Sequence, residues 1–234
     1  MPPSPRTRPP LHRVTVLDAA VELADAEGIE AVSMRRLAER LGVVPMALYK
    51  HVSDKEDLLD GMIDRVIAQF QPGDPSADPS ADPSAWPDAV RRVLLSTREV
   101  VQRHPWARRV IETRTHRTPA VLAYMEAVTQ LFLGGGLSPD LTHHVMHVLG
   151  NRIWGFSPEL FNDPGGRPAS DRPRTSGQPV PSDFPGILAI AADASARRPG
   201  ATGCDEEFEF RFALDLLLDG IARLHASEWA SPPL

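Results

Sequence analysis

Residues 33–59 read Ser33-Met-Arg-Arg-Leu-Ala-Glu-Arg-Leu-Gly-Val-Val-Pro-Met-Ala-Leu-Tyr-Lys-His-Val-Ser-Asp-Lys-Glu-Asp-Leu-Leu59, and this stretch decides the fold. The Ser33 hydroxyl is placed to cap a helix that buries Met34, Leu37, Ala38 and Leu41 at spacings of three and four. Gly42 ends that helix, because glycine enters the left-handed region without steric cost. Pro45 suits the first turn of a second helix, roughly 45–51, where its missing N–H has no partner to lose. Leu48 and Val52 turn back to the first helix. Pro45, Met46, Ala47, Tyr49, Lys50 and His51 remain outside, a mixture of apolar and basic groups that suits a DNA groove better than bulk water.

Working outward, Ser53-Asp-Lys-Glu56 has the form of a capping box, with Ser53 as cap and Glu56 reaching back. It opens a third helix with Leu58, Leu59, Met62, Ile63, Val66, Ile67 and Phe70 on its apolar face. Upstream, Val14, Leu17, Val21 and Ala24 define a preceding helix closed by Gly28. Four helices are expected within residues 11–70.

The string Ala26-Glu-Gly28, then Arg35-Arg-Leu-Ala-Glu-Arg-Leu-Gly-Val43, Leu48-Tyr-Lys-His-Val52 and Lys55-Glu-Asp-Leu-Leu-Asp60 resembles, without a gap, the DNA-binding domain of the tetracycline-repressor (TetR) family. More thinly, Gly155, Glu159 and Phe208-Glu-Phe-Arg-Phe-Ala-Leu-Asp-Leu-Leu-Leu-Asp-Gly-Ile221 are similar to the ligand-binding half of the tetracycline-repressor branch. Residues 160–204 match little. The resemblance implies an all-α protein, with an N-terminal helix-turn-helix domain and a larger C-terminal helical domain for ligand binding and dimerisation.

Composition bounds the same picture. The 234 residues are 42% hydrophobic, enough for one small and one medium core. The net charge of −6 excludes a protein that coats nucleic acid by charge alone. Residues 1–55 hold eight Lys/Arg against seven Asp/Glu, or +1, which leaves −7 for the remainder. The N-terminal domain is therefore the part fit to approach phosphates. Cys204 is the single cysteine, so no intrachain disulfide forms and a reducing compartment is expected. No apolar run approaches 18 residues and no leader is evident, so the expected location is cytoplasmic, with no membrane partner.

Proline punctuates the chain. Residues 1–10 are expected to be a disordered basic arm. Residues 71–85 are expected to be a tether, built from three copies of Asp-Pro-Ser-Ala over 74–85. Residues 86–230 form the larger domain, with helices expected over Trp86 to about His104, Pro119–Leu133 and Pro139–Phe156. Residues 157–185 are expected to be a mobile loop over a pocket. A last helix, roughly 206–228, carries Phe210, Leu214, Leu217, Ile221 and Leu224 on one side and Phe208, Phe212 and Leu216 on another. Apolar on two sides, it must be buried on two sides, which points to a homodimer. In the family, that dimer is a four-helix bundle of this helix and the one at 139–156.

A two-fold dimer sets its recognition helices about 34 Å apart, one turn of double-stranded DNA, and so requires a near-palindromic operator. By position in the family pattern, Tyr49, His51 and Lys55 match phosphate contacts, and Arg35 matches a base-reading position able to grip guanine. Pro45, Met46, Ala47 and Lys50 fill the remaining groove-facing positions. The first three offer no side-chain donor, so they suit thymine methyls or DNA shape.

The family's other partner is a small-molecule effector that displaces the helix at 53–70. Candidate pocket residues are His104, Trp106, Glu112, Arg114 and His116 around a proline-broken segment. His143, Met146, His147, Asn151, Trp154 and Glu159 are further candidates on and after the following helix. Positions that hold the tetracycline–magnesium ligands in the family carry Gln71, Val93, Thr97 and Ile111 here, and Glu159 alone is kept, so a different effector is expected, walled by Trp106 and Trp154. His143 and His147 share a helical face as a chelating pair would. No acidic partner stands at ligand spacing, so neither a metal nor a cofactor is assigned. No catalytic residue is assigned either, because the chain lacks a nucleophile elbow, a phosphate-binding glycine loop and a His-Glu-x-x-His motif. Two alternatives stay open: an enzyme built on the His-rich helix, and a DNA-binding protein without an effector.

Overall fold

The computed structural model describes residues 11–70, 82–114, 116–154, 184–197 and 205–232. Every regular element among them is helical. The chain divides into two units, residues 1–156 with 222–234, and residues 157–221.

In the first unit, α1 (Arg13–Glu27) buries Val16, Leu17, Ala20, Leu23 and Ala24. Val14, expected on that face, lies on the exposed side, because the buried stripe begins at Val16. Gly28 ends α1 at φ 85°, a backbone that disfavours side chains. α2 (Met34–Leu41) begins on the Ser33 hydroxyl, which accepts from the Arg36 amide at 3.3 Å. It ends at Gly42 in the left-handed region, φ 63° and ψ 38°. Leu37 and Ala38 are buried, whereas Met34 and Leu41 are half-buried.

α3 (Pro45–Leu48) is shorter than the helix expected to residue 51, although amides of His51 and Val52 still reach the Leu48 carbonyl. α4 (Lys55–Ile67) is capped by Asp54, whose carboxylate accepts from the Asp57 amide at 2.8 Å. The Ser53 amide donates to the Asp57 carboxylate at 2.8 Å. The reciprocal cap therefore uses Asp54 and Asp57 rather than Ser53 and Glu56. Glu56 is engaged elsewhere, 2.7 Å from Arg114.

The end of the expected tether is ordered. Asp82 caps a single 3₁₀ turn, Pro83–Ala85, by accepting from the Ser84 amide at 2.9 Å. This turn leads into α5 (Trp86–Arg103). α6 (Pro105–Glu112) was not anticipated by periodicity, yet it buries Trp106, Ala107 and Val110. Pro105 starts this helix at its first turn instead of interrupting one. α7 (Pro119–Gly134) and α8 (Pro139–Trp154) follow. The expected arm at 1–10, most of the tether (71–81) and all but the last two residues of the expected loop (157–185) lie outside the described residues.

The other unit contains α9 (Pro185–Arg197), which the sequence reading left unassigned, and most of α10 (Glu206–Ala226). On α10 the buried stripe is Phe210, Leu214, Leu218 and Ile221. Leu218 thus holds the place expected for Leu217, and Leu224 is exposed. Within the first unit, the chain beyond α10 returns to α8. The Ser231 amide and hydroxyl donate to Asp140 at 2.7 and 2.9 Å, and Trp229 stands edge-on to His144.

Candidate DNA-recognition surface and ligand cavity

The recognition segment is presented by buried anchors. Leu48 and Val52 are fully buried, which fixes the turn of chain between them. Arg13 adds a strap from α1, donating to the His51 carbonyl at 2.6 Å and to the Asp57 carboxylate at 3.0 Å. The guanidinium bonds lower the Asp57 pKa, helped by the Ser53 amide. Outward from these anchors stand Val44 and Met46, 67% and 71% exposed, with Tyr49 at 48%. Pro45, Lys50 and Lys55 are exposed beside them, and Ala47 and His51 are half-buried. Among the described residues Lys50 and Lys55 form no ion pair. Arg35 extends from α2 and pairs with Glu39 at 3.0 Å. Val44, absent from the sequence assignment, belongs to this surface by exposure and adjacency.

α4 joins that surface to a cavity of about 720 Å³. Its walls are Ile63 and Ile67 of α4, Leu94 of α5, Ile111 of α6, Val121, Tyr124, Met125 and Val128 of α7, and Thr142, Met146 and Leu149 of α8. Arg114, His116, Arg117 and Thr118 enter from the α6–α7 connection, with His143 and His147 from α8 and Asp60 from α4.

The connection also grips α4. Glu56, Asp60 and Asp64 recur every four residues along one face. Arg114 meets Glu56 at 2.7 Å and Asp60 at 3.3 Å. His116 Nε2 lies 2.9 Å from Asp60, and the Thr118 hydroxyl donates to Asp64. Tyr124 is buried behind this row, its hydroxyl 2.9 Å from that of Thr97. Burial pushes its pKa up to about 12, and the Thr97 bond lowers it slightly.

Of the sequence candidates, Arg114, His116, His143, Met146 and His147 therefore converge on the cavity. His104, Trp106 and Glu112 do not line it. His104 is buried against the N-terminal domain, with Nδ1 donating to the Asp25 carboxylate at 2.8 Å and Nε2 lying 3.0 Å from the Gln69 side-chain amide. The Trp106 indole donates to the same Asp25 oxygen at 2.7 Å. Glu112 pairs with Arg108 on the surface. The side chains of Asn151 and Trp154, and the whole of Glu159, lie outside the described residues, as does Gln71. Ile111 lines the cavity, whereas Val93 and Thr97 are buried beside it without lining it. The His143 and His147 rings approach to 4.7 Å between centroids. Among the described residues no group of three potential metal ligands gathers.

Comparison with known proteins agrees with this anatomy. Residues 16–62 match the model for bacterial regulatory proteins of the tetR family, and residues 78–224 match the tetracyclin repressor-like C-terminal domain. The HTH-type transcriptional repressor DrrR1 of Streptomyces coeruleorubidus is 31% identical, over 96% of this chain and 82% of its own. The class G tetracycline repressor protein of Vibrio anguillarum is 26% identical over 94% and 98%. Among solved structures, apo ActR of Streptomyces coelicolor superposes with a TM-score of 0.70 at 23% identity, covering 95% of this chain and all of that one. ActR has also been solved in complex with actinorhodin.

The chain belongs to the tetracycline-repressor family. It is a helix-turn-helix transcriptional regulator with a ligand-binding type of C-terminal domain, and not an enzyme. No described helix is long and apolar enough to cross a membrane.

Proposed function

We propose that the chain acts as a homodimeric repressor, which holds a near-palindromic operator and lets it go when a small molecule fills the 720 Å³ cavity. The observation that carries this reading is the double duty of α4. Its first turn follows the exposed recognition segment, and its Asp60, Ile63 and Ile67 line the cavity. A ligand that favours a different position of α4 thereby disfavours the DNA-bound geometry, through its differential affinity for the two states.

On the DNA side, Tyr49, His51 and Lys55 hold phosphates, and Arg35 and Lys50 read base edges. Pro45, Met46 and Ala47 read methyls and shape. On the ligand side, Arg114, His116, His143, Met146 and His147 supply polar and soft contacts against the aliphatic walls. ActR, similar in fold, was solved with actinorhodin, and a cavity of this volume accommodates a polycyclic molecule. Tetracycline with magnesium is not favoured as the effector, because Val93, Thr97 and Ile111 offer no comparable ligands. The dimer uses the helices at 139–156 and 206–228. Phe212 and Leu216 are 57% and 59% exposed on α10, and α8 exposes Val148.

The test is selection from sheared DNA of the source genome at about physiological salt, since phosphate-driven binding is salt-dependent. Retention of a few fragments that share one inverted repeat supports the reading. Uniform recovery, or none, overturns it.

A further inference from the structure

Among the described residues, two buried polar atoms that belong to residues lining the cavity have no partner. Arg114, with its side chain 12% exposed, uses Nη1 on Glu56 and Asp60 and Nη2 on Thr113, but its buried Nε has no hydrogen-bond partner. The buried Thr142 hydroxyl, also lining the cavity, has none either. Buried donors in folded proteins are almost always satisfied, so two orphans just beneath the cavity wall point to acceptors that a ligand supplies as the lining yields. The charges select the kind of acceptor. The described lining contains two arginines, Arg114 and Arg117, and three histidines against the single carboxylate of Asp60.

We infer that the effector is an organic acid, an apolar ring body bearing a carboxylate, and that Arg114 receives this carboxylate through Nε and Nη2 while Nη1 stays on α4. This rests on the reading of the cavity as the effector site. The guanidinium is a planar fork that grips one carboxylate through Nε and a terminal nitrogen together. That side-on grip displaces only the long Nη2 contact with Thr113 at 3.4 Å and leaves Nη1 on Glu56 and Asp60, so one guanidinium is shared between the ligand and α4. The incoming negative charge also repels the acidic row of α4, which is the helix that supports the recognition segment. The sign of the effector's charge thus becomes part of the switch, because a neutral molecule of the same shape fills the walls without claiming Arg114.

The test uses the full-length protein, with anthraquinone-2-carboxylic acid and its carboxamide as probes. Binding is read by tryptophan fluorescence quenching, and release by the mobility of a selected operator fragment. The wild type should bind the acid at least ten-fold more tightly than the amide, and the acid alone should release the operator. Arg114→Met should erase the acid's advantage, with folding checked by circular dichroism. Glu56→Gln, a change at an exposed position, should strengthen acid binding several-fold by removing a negative charge that shares the guanidinium.

Equal binding of acid and amide, failure of both to bind, or an acid preference that survives in Arg114→Met would overturn the inference. Unchanged acid affinity in Glu56→Gln would overturn the charge coupling between the ligand and α4. A wild type that retains no operator at all would instead sink the repressor reading, whichever way the probes behave.

Discussion

Tyr124 shows how much one side chain contributes at the wall of the cavity. It is buried, its ring meets Phe70 at 5.0 Å between centroids, and its hydroxyl pairs with Thr97. Its pKa, raised to about 12 by burial, lies above the ordinary tyrosine value near 10. The folded state therefore holds this proton more tightly than the unfolded chain. The contribution is intact below about pH 10 and is lost as pH rises through 12, an amount of about 3 kcal/mol at 1.36 kcal/mol per unit. Tyr124→Phe is expected to cost about 1 kcal/mol at neutral pH, from the lost hydroxyl pair, and to remove that alkaline loss. Urea unfolding of both proteins at pH 9 and pH 11.5 checks this, and equal alkaline losses would refute it.

Between elements, the two glycines that follow α7, Gly135 and Gly136, have unlike duties. Gly136 takes φ 85°, which favours glycine. Gly135 has an ordinary φ of −75° and matters for space, since an added Cβ would come within 2.6 Å of Trp86 Cβ, Cγ and Cδ1. Trp86 is itself buried against Phe132, so the indole has little room to yield. Gly135→Ala should destabilise by about 1–3 kcal/mol through overpacking. A melting temperature equal to the wild type's would show that α5 and α7 separate more easily than this. The same element scale explains α6. Pro105 read as an interruption, yet proline favours a helix's first turn, and a stripe of Trp106, Ala107 and Val110 is too short to stand out as a period.

For the whole molecule, the proposed homodimer is the point to test. Phe212 and Leu216 expose apolar area that one chain leaves in water, and operator recognition by a two-fold pair requires both copies. Phe212→Glu places a charge on that face without touching the buried stripe of Phe210, Leu214 and Leu218. The variant is expected to sediment as a monomer and to lose at least ten-fold in operator affinity, with its helical signal preserved. A stable dimer in that variant would move the interface elsewhere.

The sequence by itself determined the local events of the N-terminal domain and the family. Ser33 as a cap, Gly42 as a left-handed stop and the period of Leu37, Leu48, Leu58 and Met62 are each set within a few residues, where backbone sterics and capping outweigh distant packing. Tertiary structure alone decided which polar groups meet. Glu56 looked like the partner of Ser53 and instead pairs with Arg114, 58 positions away in the chain. His104 and Trp106 looked like pocket walls and instead share Asp25, 79 and 81 positions away. Ion pairs and cavity linings depend on which helix faces converge. That convergence is fixed by the summed burial of the core and not by the spacing of any one segment.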